Sequence, residues 1–284
     1  MPETSPIVLS HFQVEPVIAA YRQGATGVSI SPDLGLSQVR VELSNDGVLF
    51  GSGELLPWAE TEEIIAAPQS CFAVTAEGVR KLQLFSETTQ RVISLMPTAA
   101  APTMVLAGFP MHRIKDTDPH QDTLHKLSAL KPVRGRVLDT AMGLGYTAIE
   151  AARTADEVVT IELDPGVVEL ASWNPWSREL FTNPKIRRIE GDSSEIVQGM
   201  GDQSFTCILH DPPIFSLAGD LYGGAFYREL YRLLRRGGRL FHYIGDLDSG
   251  STRRVLPGIQ RRLKEAGFTR IVRKPDAFGL LAYR

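Results

Sequence analysis

The sequence predicts an α/β fold: a doubly wound, largely parallel sheet of seven strands with a closing antiparallel hairpin, preceded by a small, mostly β N-terminal domain. Three observations carry this. After residue 131, strand-like apolar runs alternate with amphipathic helical segments, the pattern that builds a parallel sheet. Before residue 115, short β-prone runs follow one another at short intervals, broken by turn residues. A final stretch, KEAGFTRIVRKPDAFGLLAYR, offers two more strands with a turn between them. The expected borders are therefore 1–115 for the mostly β domain and 116–284 for the α/β domain.

In chain order, the β-prone runs are TGVSISPD, SQVRVELS, GVLFGSGE, SCFAVTAE, VRKLQLFS, RVISLMP and PTMVLAGF. Two helices are expected among them, over HFQVEPVIAAYRQG and over TEEIIAAPQ, the second starting at Thr61 with acidic residues behind it. The segment MHRIKDTDPHQDTLHKL joins the halves, and Thr117 or Asp118 ahead of Pro119 makes a good helix start. Strands are then expected over 135–139, 158–162, 186–190, 205–211 and 239–245, with AFYRELYRLLRR as an amphipathic helix before the last.

Composition narrows the function classes. Of 284 residues, 43% are hydrophobic and 22% charged, ordinary values for a folded domain, and no apolar run is long enough to span a bilayer. The N-terminal MPETSPIVLSHF has no basic segment followed by an apolar run, so the expected location is the cytoplasm. Cys71 and Cys207 sit in apolar surroundings without metal-type spacing, which predicts reduced core residues and no metal site. The net charge of −3 conceals an asymmetry, because residues 223–284 hold 14 basic and 5 acidic side chains. Either these arginines line solvated helix faces, or they meet an anionic partner.

GRVLDTAMGLGYTAIEAA runs from a strand through a glycine-bearing turn into a helix. Gly143 and Gly145 permit a tight turn and a close ligand approach at a helix N-terminus. GLGYTA also satisfies the dinucleotide pattern G-x-G-x-x-A, and Glu162 lies 19 residues after Gly143, so a NAD site competes at this point. Asp139 discriminates. A carboxylate at the strand end would oppose phosphate, but suits the cationic methionine part of S-adenosylmethionine.

VLDTAMGLG resembles the first motif of class I S-adenosylmethionine-dependent methyltransferases, with Ala141 in place of the first glycine. The later landmarks come in that family's order. The resemblance implies that S-adenosylmethionine binds at Asp139, Thr140, Ala141, Gly143, Gly145, Tyr146 and Thr147. It further implies Glu162 on the ribose hydroxyls, Leu163 against adenine, and Asp192 with Ser193 near the adenine amino group. Asp211 ends the fourth strand, the family's catalytic position, within HDPPIF.

HDPPIF resembles the Asp/Asn-Pro-Pro-Tyr/Phe motif of amino-methyltransferases, departing at the fourth place, where Ile214 stands. An exocyclic base amine is a poor nucleophile because its lone pair is delocalised into the ring. If Asp211 and the Pro212 carbonyl accept its two hydrogens, the lone pair can turn toward a methyl group. Proline holds such a carbonyl rigidly. Pro213 and Phe215 are the expected neighbours of the substrate, Phe215 either stacking on a base or packing in the core. His112, Arg113 and Lys115 either meet the cofactor carboxylate or a phosphate, or are solvated at the surface. His210 is either structural or a contact, and Trp173 and Trp176 pack or stack on a base.

MHRIKDTDPHQDT, LDTAMGLGYTAIEA, NPWSRELF and HDPPIFSLAGDLYGGAFYRELYRLL together resemble a group of two-domain methyltransferases best represented in archaea and labelled spermine-synthase-like. The group is similar to the enzyme that forms N4,N4-dimethylcytidine in small-subunit ribosomal RNA. The resemblance implies methylation of cytidine N4 during rRNA processing, with RNA or the ribosome as partner and no membrane. The alternatives are aminopropyl transfer or methylation of a polyamine, a NAD-dependent oxidoreductase, and a cofactor-sensing module without chemistry.

Overall fold

The computed structural model describes residues 6–213 and 218–284. The chain forms two compact units, Met1–His120 with Gly166–Arg178, and Gln121–Pro165 with Glu179–Arg284. The sequence placed one border after residue 115. The first unit instead runs to His120 and also takes in a segment from within the α/β sequence.

The first unit holds three antiparallel sheets among its described residues. Ile7–Leu9, Phe72–Thr75 and Gly78–Lys81 form one; Gly27–Ile30, Val39–Leu43, Gly47–Leu49 and Leu55–Pro57 the second; Gln83–Ser86, Arg91–Met96, Thr103–Leu106 and Phe109–Pro110 the third. Leu9, Val14, Val17, Val48, Ile64 and Phe72 are part of its core, and Val14, Val17 and Ile64 come from the helices His11–Arg22 and Trp58–Ala66. The second helix starts three residues before the expected Thr61. Thr61 is buried within its first turn, where its hydroxyl donates to the Trp58 carbonyl at 2.7 Å. Within this unit Arg80 pairs with Glu169 at 2.9 Å, and the Trp176 indole N–H donates to the Leu34 carbonyl.

The second unit is built on one seven-stranded sheet. Its strands are β1 (Arg136–Asp139), β2 (Glu157–Glu162), β3 (Ile186–Glu190), β4 (Phe205–His210), β5 (Leu234–Tyr243), β6 (Arg270–Lys274) and β7 (Gly279–Tyr283). Their order is β3-β2-β1-β4-β5-β7-β6, parallel from β3 to β5, with β7 antiparallel to both β5 and β6. The central strands have Val137, Leu138, Val159, Ile161, Ile208 and Leu209 almost wholly buried, as expected of strands covered on both faces. The edge strand β6 carries Arg270, Arg273 and Lys274, charges that discourage pairing with another chain.

The helix α1 (Pro119–Leu130) precedes β1, and the Asp118 carboxylate accepts from the His120 amide at 2.8 Å, the cap that the sequence suggested. The helix before β5 covers Gly224–Leu233, with Phe226, Tyr227, Leu230 and Leu233 buried. It ends three residues earlier than AFYRELYRLLRR implied, because Leu234 already pairs with Phe205. The register then shifts so that Arg239 pairs with Cys207. That shift takes up Arg235 to Gly238, with Gly237 at φ 73°. No helix among the described residues is long and apolar enough to cross a membrane.

The sheet order reverses between β2 and β4 on either side of β1, the topology in which ligands of α/β sheets bind in a crevice at the carboxyl ends of the strands. Gly145 sits there, in the turn ahead of the helix α2 (Tyr146–Ala152), at φ 76°; a Cβ would lie 2.6 Å from the buried Leu180 side chain. Gly145→Ala is expected to cost roughly 1–3 kcal/mol through backbone strain and overpacking. Urea unfolding of the variant checks this.

Candidate functional site

Three strand ends supply the crevice with carboxylates: Asp139 on β1, Glu162 on β2 and Asp211 just beyond β4. The turn after β1 is fixed by the Met142 amide, which donates to the Ile161 carbonyl at 2.8 Å. The Gly143 amide donates to Glu162 Oε2 at 2.9 Å, and the Asp164 amide to Oε1 at 3.1 Å. One backbone N–H on each oxygen orients the carboxylate and leaves lone pairs for a ligand's hydroxyls. Beside it Leu163 is 47% exposed, an apolar surface at the mouth of the crevice. Past β3, Asp192 accepts from the Ser194 amide at 2.7 Å, and the Ser193 hydroxyl donates to the Thr140 carbonyl at 2.6 Å.

Asp139 is only 1% exposed. Its Oδ2 accepts from Thr160 at 2.9 Å and from Thr147 at 3.2 Å, while Oδ1 lies buried with no hydrogen-bond partner among the described residues. Burial pushes this carboxyl up to about 7, with the hydroxyl of Thr160 pulling the other way and the charge of Asp211 adding to the rise. Glu162 is also pushed up to about 7, again chiefly by burial, against the Asp164 and Gly143 amides. Thr147 and Tyr146 are buried too, and the Thr147 hydroxyl acts on Asp139.

The residues around Asp211 contain what the sequence reading missed. Lys126, on α1, is 1% exposed; its ammonium lies 2.6 Å from Asp211 Oδ2 and 2.8 Å from Asp122 Oδ2, and Asp122 is fully buried. The Tyr243 ring stands 4.4 Å from the same nitrogen. Burial works against the lysine charge, but Asp211, Asp122 and Tyr243 more than offset it, so Lys126 stays protonated. Burial also raises the Asp211 carboxyl, with Lys126 opposing. Asp211 keeps 17% exposure and so is the member of this group that a ligand reaches.

Pro212 is buried, and its carbonyl has no hydrogen-bond donor among the described residues. The Pro213 carbonyl accepts from the Tyr222 hydroxyl at 3.0 Å, which fixes the start of the loop. Ile214 and Phe215 lie outside the described residues.

His210 is structural. Its Nε2 is 2.9 Å from the Leu221 carbonyl, and a carbonyl only accepts, so Nε2 carries the proton and Nδ1 accepts from Thr140 Oγ1 at 2.7 Å. By the same logic His242 Nδ1 donates to the His210 carbonyl, and Nε2 accepts from the Tyr227 hydroxyl at 2.9 Å. Burial keeps both rings neutral, His210 well below the usual histidine value and His242 down to about 3. This network ties the strand end that carries Asp211 to β5.

His112 and Lys115 belong to the first unit, where His112 Nδ1 is 3.0 Å from the Thr103 hydroxyl and Lys115 is exposed. Trp173 and Trp176 also belong to that unit, Trp173 beneath the Arg80 guanidinium at 5.6 Å. Several C-terminal arginines bond within the chain: Arg232 to Asp202 and Glu229, Arg239 to Lys131 and Pro132 carbonyls, Arg262 to the Tyr222 carbonyl, and Arg284 to Tyr231 and Arg232 carbonyls. Cys71 and Cys207 are buried free thiols.

With the fold and the strand-end carboxylates described, the comparisons fall into place. No family model matches the chain. It is 46% identical over 192 residues to an uncharacterized protein of Methanocaldococcus jannaschii, covering 67% of this chain and 66% of that one. It is 26% identical over 165 residues to a polyamine aminopropyltransferase of Clostridium kluyveri, covering 56% of this chain and 60% of that one. The matched region thus spans less than two thirds of either relative. Among solved structures, spermidine synthase in complex with the transition-state analogue AdoDATO superposes with a TM-score of 0.56 at 18% identity, covering 72% of this chain and 74% of that one. The chain therefore has the α/β fold of spermidine synthase.

Because Asp139 is raised above its unfolded value of 3.8, the native state holds more protons than the unfolded chain between about pH 4 and 7. Its contribution therefore favours folding at low pH and is lost as pH rises through about 7. Relative to Asp139→Asn, the wild type should lose unfolding free energy from pH 4 to pH 8, as measured by urea titrations of both proteins.

Proposed function

We propose that the protein transfers an alkyl group from S-adenosylmethionine, or a closely related sulfonium donor, to an amine nitrogen held by Asp211 and the Pro212 carbonyl. The observation that carries this reading is the partly exposed Asp211 carboxylate, fixed by Lys126 at the end of β4, across β1 from Glu162. Glu162 and the exposed Leu163 fit a ribose diol and an adenine face, and Asp192 fits an adenine amino group. The Asp139 Oδ1, buried without a hydrogen-bond partner among the described residues, would face a cationic donor with its negative end. Such a donor, when bound, supplies a carbon made electrophilic by the attached sulfonium. The chain's own part is to orient the amine: Asp211 and the Pro212 carbonyl take its hydrogens, the lone pair points at that carbon, and the proton is then released to Asp211 or water.

For the acceptor, the reading preferred here is the exocyclic N4 of cytidine in ribosomal RNA, on the strength of the Asp-Pro-Pro sequence following β4 and the resemblance of the longer strings. A base would have to leave its stack to reach Asp211, which favours a loop or single strand. Exposed basic side chains such as Arg228, Arg236, Arg254 and Lys264 would hold phosphate, with affinity falling steeply as salt rises. His112, Lys115 and Phe215 are further proposed contacts of the RNA. A second reading, aminopropyl transfer to a polyamine, is favoured by the C. kluyveri relative and by the fold of spermidine synthase. It also suits the surplus of carboxylate over ammonium around Asp211, which a cationic amine would balance.

The deciding experiment offers the purified protein S-adenosylmethionine or its decarboxylated form, each with unmodified ribosomal RNA or with putrescine, and identifies products by mass spectrometry. Methylcytidine formed only with S-adenosylmethionine is the expected result. Spermidine formed from the decarboxylated donor would move the assignment to the second reading, and binding of NAD with neither sulfonium would end both. Asp211→Ala should lower the transfer rate by about 10²- to 10⁴-fold. Glu162→Ala should instead weaken donor binding by about tenfold in calorimetry, the loss of one or two hydrogen bonds to a charged group.

A further inference from the structure

We propose that Lys126, clamped by Asp122, is a positioning residue for Asp211: it fixes Oδ2 and leaves Oδ1 alone to receive the acceptor amine. The inference rests on the reading of Asp211 as the amine-holding carboxylate, and extends it to two side chains of α1 that touch no ligand.

The geometry is specific. The ammonium donates to Asp211 Oδ2 at the end of β4, forms an ion pair at 2.8 Å with Asp122 on its own helix, and has the Tyr243 ring on a further side. A lysine charge taken almost wholly out of water is costly unless it is paired and hydrogen-bonded, and such a pair is a weak stabiliser compared with apolar side chains of similar volume. Its evident consequence is electrostatic. One ammonium faces two carboxylates, and with Asp122 0% exposed, Lys126 1% and Asp211 17%, Asp211 is the member of the three that reaches the surface.

Among the described residues, the titratable groups that interact with Asp211 are Lys126 and Asp122 on α1, Asp139 on β1 and Tyr222 after β4, while Tyr243 on β5 acts on Lys126. Lys126 is the cation among them. Removing it leaves Asp211 facing carboxylates and phenols, which must make the carboxylate harder to ionise. Removing the Asp122 charge instead gives the whole ammonium to Asp211, which must make it easier to ionise. The two variants therefore move Asp211 in opposite directions, a pattern that loss of packing does not produce.

The test follows the carboxyl resonance of Asp211 in protein labelled with carbon-13 at aspartate Cγ, assigned by its disappearance in Asp211→Asn, from pH 3 to pH 10. Lys126→Met should raise its midpoint by about one unit or more, and Asp122→Asn, which keeps side-chain volume, should lower it. With the acceptor that the transfer assay identifies, the acidic limb of the kcat profile should move in the same two directions while donor affinity changes less than about twofold. An unmoved midpoint in both variants, or a rise in Asp122→Asn, would overturn the clamp. Full activity in Lys126→Met despite a shifted midpoint would overturn its positioning role and leave the transferase reading intact. Unchanged activity in Asp211→Asn would remove that reading, and the resonance would still decide whether the clamp exists. If Lys126→Met does not fold, the sign of the shift in Asp122→Asn decides.

Discussion

The Lys126 ammonium lies between Asp122 and Asp211, and the rest of the crevice is arranged around the difficulty of keeping that charge dry. Each partner solves part of the problem. Asp122 on the preceding turn of α1 cancels the lysine within its own helix, and Asp211 couples that helix to the end of β4. Asp139, at the end of β1, is hard to ionise chiefly because it is buried, and the charge of Asp211 adds to that. Negative potential therefore accumulates at the carboxyl ends of β1, β2 and β4, where the reversal of strand order opens the sheet.

Rigid backbone supports this charge. Thr140 links β1 to β4 through its amide and through the His210 imidazole, and His242 with Tyr227 extends the link to β5. Both histidines are neutral and fully buried, so they hold position and add no charge of their own. The Gly143 amide does the same for Glu162. Asp139 and Glu162 are thus held by main-chain donors and uncharged side chains, and Asp211 by an ammonium, which suits a site meant to receive a cation without first rearranging.

Much of this was legible in the sequence, for physical reasons. Central strands such as FTCILH are continuous apolar runs and read as buried parallel strands, and the Asp118-Pro119 pair reads as a helix start. The strand-end positions of Asp139, Glu162 and Asp211 followed from those runs. The borders that shifted did so where tertiary pairing overrode local preference: Leu234 left a helical pattern to pair with Phe205, and Trp58 began a helix ahead of the better cap at Thr61. Lys126 and Asp122 were missed although a signal existed. Pro119, Asp122, Thr123, Lys126, Leu127 and Leu130 recur at helical spacing on the buried face of α1, so an ion pair stood where apolar residues were due. The pull of the histidines and lysine in the segment before it drew attention to His112 and Lys115 instead.

The assignment of residues 166–178 to the first unit bears on how the protein is made. Domains generally fold in the order of their synthesis. Here the first unit is still incomplete when residues 1–120 have been made, because Glu169, the partner of Arg80, and Trp176, which donates to Leu34, have not yet been translated. Those residues follow β1 and β2 of the second unit in the chain. The two units are therefore interlaced in time as well as in sequence, and a nascent chain stopped near residue 130 should remain incomplete in its first unit as well as its second.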